Sequence, residues 1–213
     1  MFRLSIVLSV MLSLITPMVR MPERFNDSFG RNHSILHFLP EVVEEVEEVA
    51  EVEEPELMFI GDSRFVGMEA VNTLQYGFYC RVGKGYKWYA DNLDDIESYI
   101  KDDTMIVFGL GVNDLYNIKK YKGLADSEHF ENMYFLSVNP VNEELEAKYG
   151  YKVSNSDIIK FNEEMESVFG ERYIDSYSYL VDNGFETVDG LHYSKSTYKA
   201  IYEFILGFFE ISY

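Results

Sequence analysis

The chain has 213 residues, of which 47% are hydrophobic and 16% aromatic, so it can bury the core of one domain and is not an intrinsically disordered protein. Its formal net charge is −19, and an acidic protein is repelled by phosphate backbones, so we expect no nucleic-acid partner. The single cysteine, Cys80, excludes an internal disulfide and a cysteine-rich zinc site.

The N-terminal segment is apolar. An uncharged stretch, Leu4–Val19, lies between Arg3 and Arg20. It is slightly longer than a usual signal-peptide core and shorter than the roughly 20 residues of a membrane-spanning helix. We therefore assign residues 1–20 to a signal peptide or an N-terminal membrane anchor, and leave open whether it is cleaved. This assignment predicts a secreted or membrane-anchored extracellular protein.

Residues 21–56 are predicted to form an acidic, disordered linker. Nine glutamates and no basic residue lie within Glu41–Glu56. Like charges at helical spacing oppose a stable helix. We expect a solvated spacer that separates the N-terminal segment from the folded domain.

From Leu57 onward, apolar runs alternate with amphipathic segments. Five strands are predicted, at Leu57–Gly61, Tyr79–Val82, Met105–Gly111, Met133–Pro140 and Glu171–Tyr177. Four helices are predicted, over Arg64–Leu74, Asp91–Ile100, Ser156–Phe169 and Ser194–Phe209. Tyr99 and Ile159 are expected to face inward from two of these helices, and Ser156 and Ser194 to cap the last two. Uninterrupted apolar strands between helices indicate an α/β fold, a three-layer α/β/α domain with a mostly parallel five-stranded sheet over residues 57–213.

Polar residues and glycines follow the predicted strands at the points where ligand sites form in such sheets. They are Gly61-Asp62-Ser63, Gly83 and Gly85, and Gly111-Val112-Asn113-Asp114. A fourth segment, Asp189-Gly190-Leu191-His192, lies before the last predicted helix, and we expect all four at the same edge of the sheet. A serine hydroxyl needs an adjacent base to become a nucleophile, and His192 can supply it, with Asp189 accepting from the other ring nitrogen. The N–H groups of Ser63 and Gly85 and the amide of Asn113 can stabilise an oxyanion.

These motifs resemble those of the SGNH hydrolases, also called GDSL-type esterases and lipases. The segment GDS at 61–63, GVND at 111–114 and DGLH at 189–192 match that family's motifs in order and spacing. The resemblance implies a flavodoxin-like sandwich and a catalytic triad of Ser63, Asp189 and His192. It further implies an oxyanion hole of Ser63, Gly85 and Asn113, and neither a metal nor an organic cofactor. Arg64 stands where the family usually has leucine, and Gly83 remains an alternative to Gly85.

The activity predicted from the sequence is hydrolysis of short-chain, acetyl-like O-acyl esters on carbohydrate or cell-wall glycan, through an acyl-enzyme on Ser63. Nearby aromatic residues can stack on sugar rings, although at least half of them are expected to serve packing: Tyr86, Trp88, Tyr89 and Tyr116. Positive charge on Arg64, Lys84 and Lys87 hints at an anionic group on the substrate. The alternatives are an O-acyltransferase on the same scaffold and a non-catalytic glycan-binding surface domain.

Overall fold

The computed structural model describes residues 56–127 and 132–212, so the predictions for residues 1–20 and for the linker as far as residue 55 lie outside the described residues. Five strands form one sheet: β1 (Leu57–Gly61), β2 (Gly77–Cys80), β3 (Met105–Gly109), β4 (Met133–Leu136) and β5 (Tyr173–Ile174). Their order is β2-β1-β3-β4-β5, and every pairing is parallel. This flavodoxin-like order confirms the predicted sheet.

Helices cover both faces of the sheet. They are α1 (Ser63–Glu69), α2 (Tyr86–Asp91), α3 (Leu93–Glu97), α4 (Ile118–Lys122), α5 (Glu143–Tyr149), α6 (Asn155–Phe169), α7 (Ser176–Asn183) and α8 (Lys195–Phe208). One core forms between the sheet and α2, α3, α4 and α6, and the other between the sheet and α1, α7 and α8. The predicted three-layer α/β/α architecture is therefore confirmed.

Alternation along the strands explains why both faces must be covered. In β1, Met58 and Ile60 enter the first core, whereas Leu57 and Phe59 enter the second. Phe59 is fully buried and stacks on Phe78 of β2 with ring centroids 4.5 Å apart. Because successive strand side chains point to opposite faces, such an apolar run is stable only between two helical layers.

The strand register brings three loops to one edge of the sheet. Gly61, the last residue of β1, is paired with Cys80 of β2 on one side and with Gly109 of β3 on the other. The segments that follow these three residues therefore leave the sheet at the same level. The first carries Ser63, the second Gly85 and the third Asn113.

The predicted helix over Asp91–Ile100 is confirmed only in its central part, α3 at Leu93–Glu97, and a separate short helix that was not predicted, α2, ends at Asp91. Asn92 lies between them with φ −120° and ψ 16°, and its side-chain amide donates to the carbonyl of Trp88 at 2.7 Å. Asparagine side chains that bond nearby main chain compete with helix continuation. Tyr99 lies beyond the end of α3 and is 59% exposed, so it does not face inward as predicted.

The phase of α6 also differs from the prediction. Ser154, not Ser156, is its N-cap: Ser154 has an extended backbone, and its hydroxyl accepts from the N–H of Asp157. Ile158 is therefore buried, whereas Ile159 is 42% exposed. The cap of α8 by Ser194 is confirmed.

Several elements differ from the sequence prediction or were not predicted. The strand β2 begins at Gly77, two residues before the predicted strand, and α1 ends at Glu69 rather than at Leu74. The predicted strand over Glu171–Tyr177 is reduced to the two residues of β5, because Asp175 caps α7 there. The helices α4, α5 and α7 were not predicted. Among the described residues, no helix has both the length and the apolar character to cross a membrane.

Candidate active site

Ser63 lies at the junction of β1 and α1. Gly61 is required before it, since a Cβ there would lie 2.3 Å from the ring of Phe65. Asp62 caps α1 by accepting the N–H of Arg64 at 3.0 Å, which makes Ser63 the first residue of the helix. Its hydroxyl therefore lies at the helix N-terminus, at the edge of the sheet, and the residue is 8% exposed.

His192 reaches this hydroxyl from the loop before α8. Its Nε2 lies 2.8 Å from Ser63 Oγ, and its Nδ1 lies 2.7 Å from Asp189 Oδ2. A carboxylate oxygen only accepts, so Nδ1 carries the proton and Nε2 is the nitrogen that can accept from the serine. The structure thus brings the three predicted triad residues into one continuous hydrogen-bonded chain.

The loop that holds Asp189 and His192 is itself fixed. Asp189 Oδ1 accepts the N–H groups of Leu191 at 3.0 Å and His192 at 2.7 Å. Gly190 has φ +95°, and a Cβ there would lie 2.2 Å from the main-chain nitrogen of Glu146 in α5. A side chain at this position would therefore be strained and would also push the loop away from α5.

The hydrogen bonds around Asp189 favour its ionised form. Partial burial alone would raise the pKa of Asp189, but the hydrogen bonds from the His192 ring and from the N–H groups of His192 and Leu191 lower it. The net result is a pKa below the ordinary aspartate value. Asp189 is thus negatively charged at neutral pH, as a group that supports an imidazolium must be.

Asn113 lies at the same edge but makes no direct contact with the triad. Its Nδ2 donates to the carbonyl of Lys84 at 2.8 Å and lies 3.5 Å from Asp62 Oδ2. These contacts connect the loop after β3 to the loop after β2 and to the residue before Ser63. The Asn113 side chain is exposed, so it is accessible to a substrate.

The two candidate glycines after β2 differ in their surroundings. A Cβ on Gly85 would lie 2.5 Å from the carboxyl carbon of Asp114, which accepts the N–H of Tyr86 at 2.9 Å. Gly83 has φ +68°, and no heavy atom lies within 4 Å of the Cβ position. Of the two, only Gly85 contacts the neighbouring loop, through Asp114, which directly follows Asn113. This contact favours Gly85 as the oxyanion-hole glycine.

The overall fold was compared with that of known proteins. No protein-family model matches the sequence, and no curated protein matches it either. Solved structures do match the fold. A Streptococcus pneumonia protein designated a candidate platelet activating factor has a TM-score of 0.60 and 21% identity, covering 76% of this chain and 86% of its own. A lipolytic protein of the G-D-S-L family from Veillonella parvula has a TM-score of 0.54 and 15% identity, with coverages of 71% and 96%.

An acetylxylan esterase from Geobacillus stearothermophilus, solved as a catalytic mutant, has a TM-score of 0.51 and 11% identity, with coverages of 74% and 95%. The chain has the SGNH hydrolase fold. The sequence departs from the usual GDSL motif in the loop after β1, because Arg64 follows Ser63.

Arg64 does not contribute positive charge to the candidate site, contrary to the sequence-based expectation. Its Nε and Nη2 each donate to Asp62 at 2.9 Å, and Nη2 also donates to the carbonyl of Gly109 at 2.9 Å. The side chains of Arg64 and Asp62 are 4% and 0% exposed. Burial alone would lower the pKa of Arg64, but the charge and hydrogen bonds of Asp62 more than offset this and raise it.

The remaining predicted residues divide between packing and surface. Tyr89 is buried, and Tyr86 and Trp88 pack against the first core, whereas Tyr116 is 84% exposed. Lys87 is paired with Asp91 on the surface of α2. In residues 56–127 and 132–212, no three His, Cys, Asp or Glu side chains are grouped to hold a metal ion.

One contact of the site was missed by the sequence reasoning. Tyr151, in the connection between α5 and α6, donates its hydroxyl to Asp189 Oδ2 at 3.3 Å, and its ring lies 6.1 Å from the His192 ring. Desolvation and the Asp189 charge raise the pKa of Tyr151 above its ordinary value, so the hydroxyl remains a donor. No motif surrounds this tyrosine in the sequence.

Proposed function

We propose that the protein is a serine esterase that hydrolyses short-chain O-acyl esters, acetyl above all, on carbohydrate or cell-wall glycan. The observation that carries the proposal is the chain from Ser63 Oγ to His192 Nε2 at 2.8 Å and from His192 Nδ1 to Asp189 Oδ2 at 2.7 Å. A buried serine hydroxyl held in this way is the arrangement that acyl transfer needs.

The proposed reaction has two steps. Ser63 Oγ attacks the ester carbonyl while its proton passes to His192 Nε2, and Asp189 stabilises the resulting imidazolium. The N–H groups of Ser63 and Gly85 and the amide of Asn113 donate to the oxyanion. When the carbonyl re-forms, the bond to the alcohol breaks, and His192 gives its proton to the leaving oxygen. Water then attacks the acyl carbonyl while its proton passes to His192 Nε2. The bond from this carbonyl to Ser63 Oγ breaks, and His192 returns the proton to Ser63 Oγ as the acid leaves.

A short acyl group on a sugar is supported by the character of the surface beside the site. The pocket next to Asn113 combines apolar groups with polar side chains, among them Lys152, Asp157 and Lys160. These polar side chains can form hydrogen bonds with a hydroxyl-rich alcohol. The acetylxylan esterase of the same fold gives a precedent for this type of ester. We also propose that residues 1–20 direct export of the protein or tether it to a membrane.

The experiment that tests the proposal is labelling with a fluorophosphonate probe, combined with acetate release. We expect the wild-type protein to be labelled at Ser63 and to release acetate from an acetylated glycan and from p-nitrophenyl acetate, in preference to the octanoate ester. Ser63→Ala and His192→Ala should abolish both signals, and Ser98→Ala, on the surface after α3, should abolish neither.

The outcomes separate the alternatives. A folded protein that is neither labelled nor active contradicts the esterase proposal and favours a glycan-binding domain. Labelling at Ser63 with transfer of the acetyl group to an added sugar, at the expense of hydrolysis, favours an O-acyltransferase. Preference for octanoate over acetate contradicts the short-chain part of the proposal.

A further inference from the structure

Two adjoining surface pockets lie beside Asn113. The first, of about 430 Å³, is lined by Asn113 itself, Lys152 and Lys160, and the second, of about 600 Å³, by Lys119, Lys120 and Lys122. Tyr116 and Ile118 line both pockets, so the two are neighbours on the surface. We call the five lysines together with Tyr116 the lysine surface.

The lysine surface is poorly compensated by carboxylates. Lys122 is paired with Glu164, whereas the partner of Lys160, Asp157, is 3.9 Å away and both side chains are largely exposed. Within the described residues, Lys119 and Lys152 form no ion pair, and Lys120 lies over the ring of Tyr86 at 5.5 Å. Two of the five lysines thus have a carboxylate partner, and the other three leave a local excess of positive charge, in a chain of net charge −19, that favours an anionic ligand.

The other carboxylate in the first pocket does not neutralise these lysines. Asp114 is buried, and its two oxygens accept from the N–H of Tyr86, from Asn117 and from Tyr121. Its charge is thus engaged inside the domain and away from the lysine ammonium groups.

Tyr116 adds a second feature that points to a sugar. It is 84% exposed and lies at the shared rim of both pockets. A tyrosine ring that is left open between cationic groups offers a flat apolar face for a sugar ring and a hydroxyl for its polar edge.

Position connects this surface to the ester that would be cleaved. Asn113, the proposed oxyanion donor, is part of the first pocket, so a polymer lying along the lysine surface passes the site of attack. We propose that the substrate is an O-acylated anionic polysaccharide whose negative groups, carboxylates or phosphodiesters, bind the lysine surface while the ester reaches Ser63. This inference rests on the proposed function and narrows its substrate class.

The activity test compares two polymers acetylated to the same degree, polygalacturonate and the neutral glucomannan. We expect a higher kcat/KM on polygalacturonate and a loss of that preference as NaCl is raised from about 20 to 300 mM, because salt screens exposed charges. Lys152→Gln with Lys160→Gln should lower the ratio of the two kcat/KM values by about fivefold to thirtyfold.

A matched control removes two lysines elsewhere. Lys101 precedes β3, at the opposite edge of the sheet, and Lys199 lies on α8, on the opposite face; each is paired with a glutamate. Lys101→Gln with Lys199→Gln changes the net charge equally and should leave the ratio unchanged. Equal losses in both double variants, or no preference for polygalacturonate in the wild type, would overturn the proposal.

A binding measurement keeps this inference separate from the proposed function. Ser63→Ala protein is titrated calorimetrically with unacetylated polygalacturonate, poly(glycerol phosphate) and glucomannan. Binding of either polyanion but not of glucomannan supports the inference, and the tighter polyanion identifies the anionic group. No polyanion binding overturns it, even if acetate release shows that the esterase proposal is right. Polyanion binding by a protein without labelling at Ser63 defeats the esterase proposal, and with it the assignment of the polyanion as a substrate, and leaves only a polyanion-binding surface.

Discussion

Asp62 and Asp189 are built alike and differ in burial. Asp62 accepts the main-chain N–H and the guanidinium of Arg64, and Asp189 accepts two main-chain N–H groups and the imidazole of His192. The first pair is fully buried, with side-chain exposures of 0% and 4%, whereas the second is 16% and 26% exposed. Both pairs adjoin Ser63, one through the peptide chain and the other through the hydroxyl.

The partners of the two aspartates explain the difference. A guanidinium does not release its proton at any pH that the protein meets, and the raised pKa of Arg64 makes this still firmer. An imidazole exchanges its proton near neutral pH. The buried pair is therefore suited to fix the position of the serine loop, and the accessible pair to move a proton. We expect variants of the first to lose stability and variants of the second to lose turnover.

The largest effect is expected for Asp189→Asn. The amide can present its N–H to His192 Nδ1, which would put the proton on Nε2 and leave Ser63 without a base. We expect kcat to fall by about 10⁴-fold. Measurement of kcat alongside the unfolding free energy tests this, since the native fold should persist. A fall of less than tenfold would show that Asp189 does not control the His192 tautomer.

Arg64→Met should lower the free energy of unfolding. The substitution leaves the Asp62 carboxylate buried without its cation and leaves the Gly109 carbonyl without a donor. Breaking such a pair on one side costs about 3–5 kcal/mol. Urea unfolding measures the loss, and Asp62→Asn with Arg64→Met serves as the control, because it removes both charges and should cost less. Equal costs for the two would mean that the ion pair does not matter.

Asn113→Ala tests the oxyanion hole on the side of the buried pair, since Asn113 Nδ2 lies near Asp62 and donates to the carbonyl of Lys84. If it donates to the oxyanion, its loss should lower kcat by about 10²–10³ with little change in KM. Asn183→Ala, on the exposed end of α7, is the control. A rise in KM at unchanged kcat would instead assign Asn113 to ground-state binding.

Acid should reduce the contribution of Asp189 to the free energy of unfolding. The pKa of Asp189 is lower in the native state than the roughly 3.9 of an unfolded aspartate, so its contribution to stability is present above that value. That contribution is lost as the pH falls through the folded-state pKa. The gap in unfolding free energy between wild type and Asp189→Asn should therefore narrow below about pH 4. Urea titrations at several pH values test this, and a constant gap down to about pH 3 would contradict it.

These pairs also show what the sequence can predict. The strands and α8 follow from apolar runs and a capping serine. The convergence of Ser63 and Asn113 follows because both lie in loops at strand carboxyl ends, whereas Asp189 and His192 lie between α7 and α8 and were predicted from their motif before the last helix. The fate of Arg64 could not be read, because its guanidinium is held by a carbonyl 45 positions away, on β3. The helix α5, with one leucine and one tyrosine in seven residues, has too little apolar periodicity to be recognised.

The lysine surface was missed for a related reason. Its lysines come from α4 and from the segment around the start of α6, which lie about 30 residues apart in the chain. They become neighbours only because α4 packs on α6 in the first core. Charge counted along the sequence therefore shows an acidic protein and hides the local reversal of sign.

Tyr151→Phe is the smallest of these changes to the Asp189 pair, because it removes only the second donor to Asp189 Oδ2. The aromatic ring that faces His192 is kept, and a single hydroxyl is removed from a partly exposed site. The lost hydrogen bond is exposed to solvent, so kcat should fall by only about twofold to tenfold if the hydroxyl holds the carboxylate in place. Tyr149→Phe, in the last turn of α5, is the matched control and should leave kcat unchanged. A rise in kcat in Tyr151→Phe would contradict this positioning role. It would mean that the hydrogen bond from Tyr151 weakens the interaction of Asp189 with the imidazolium of His192.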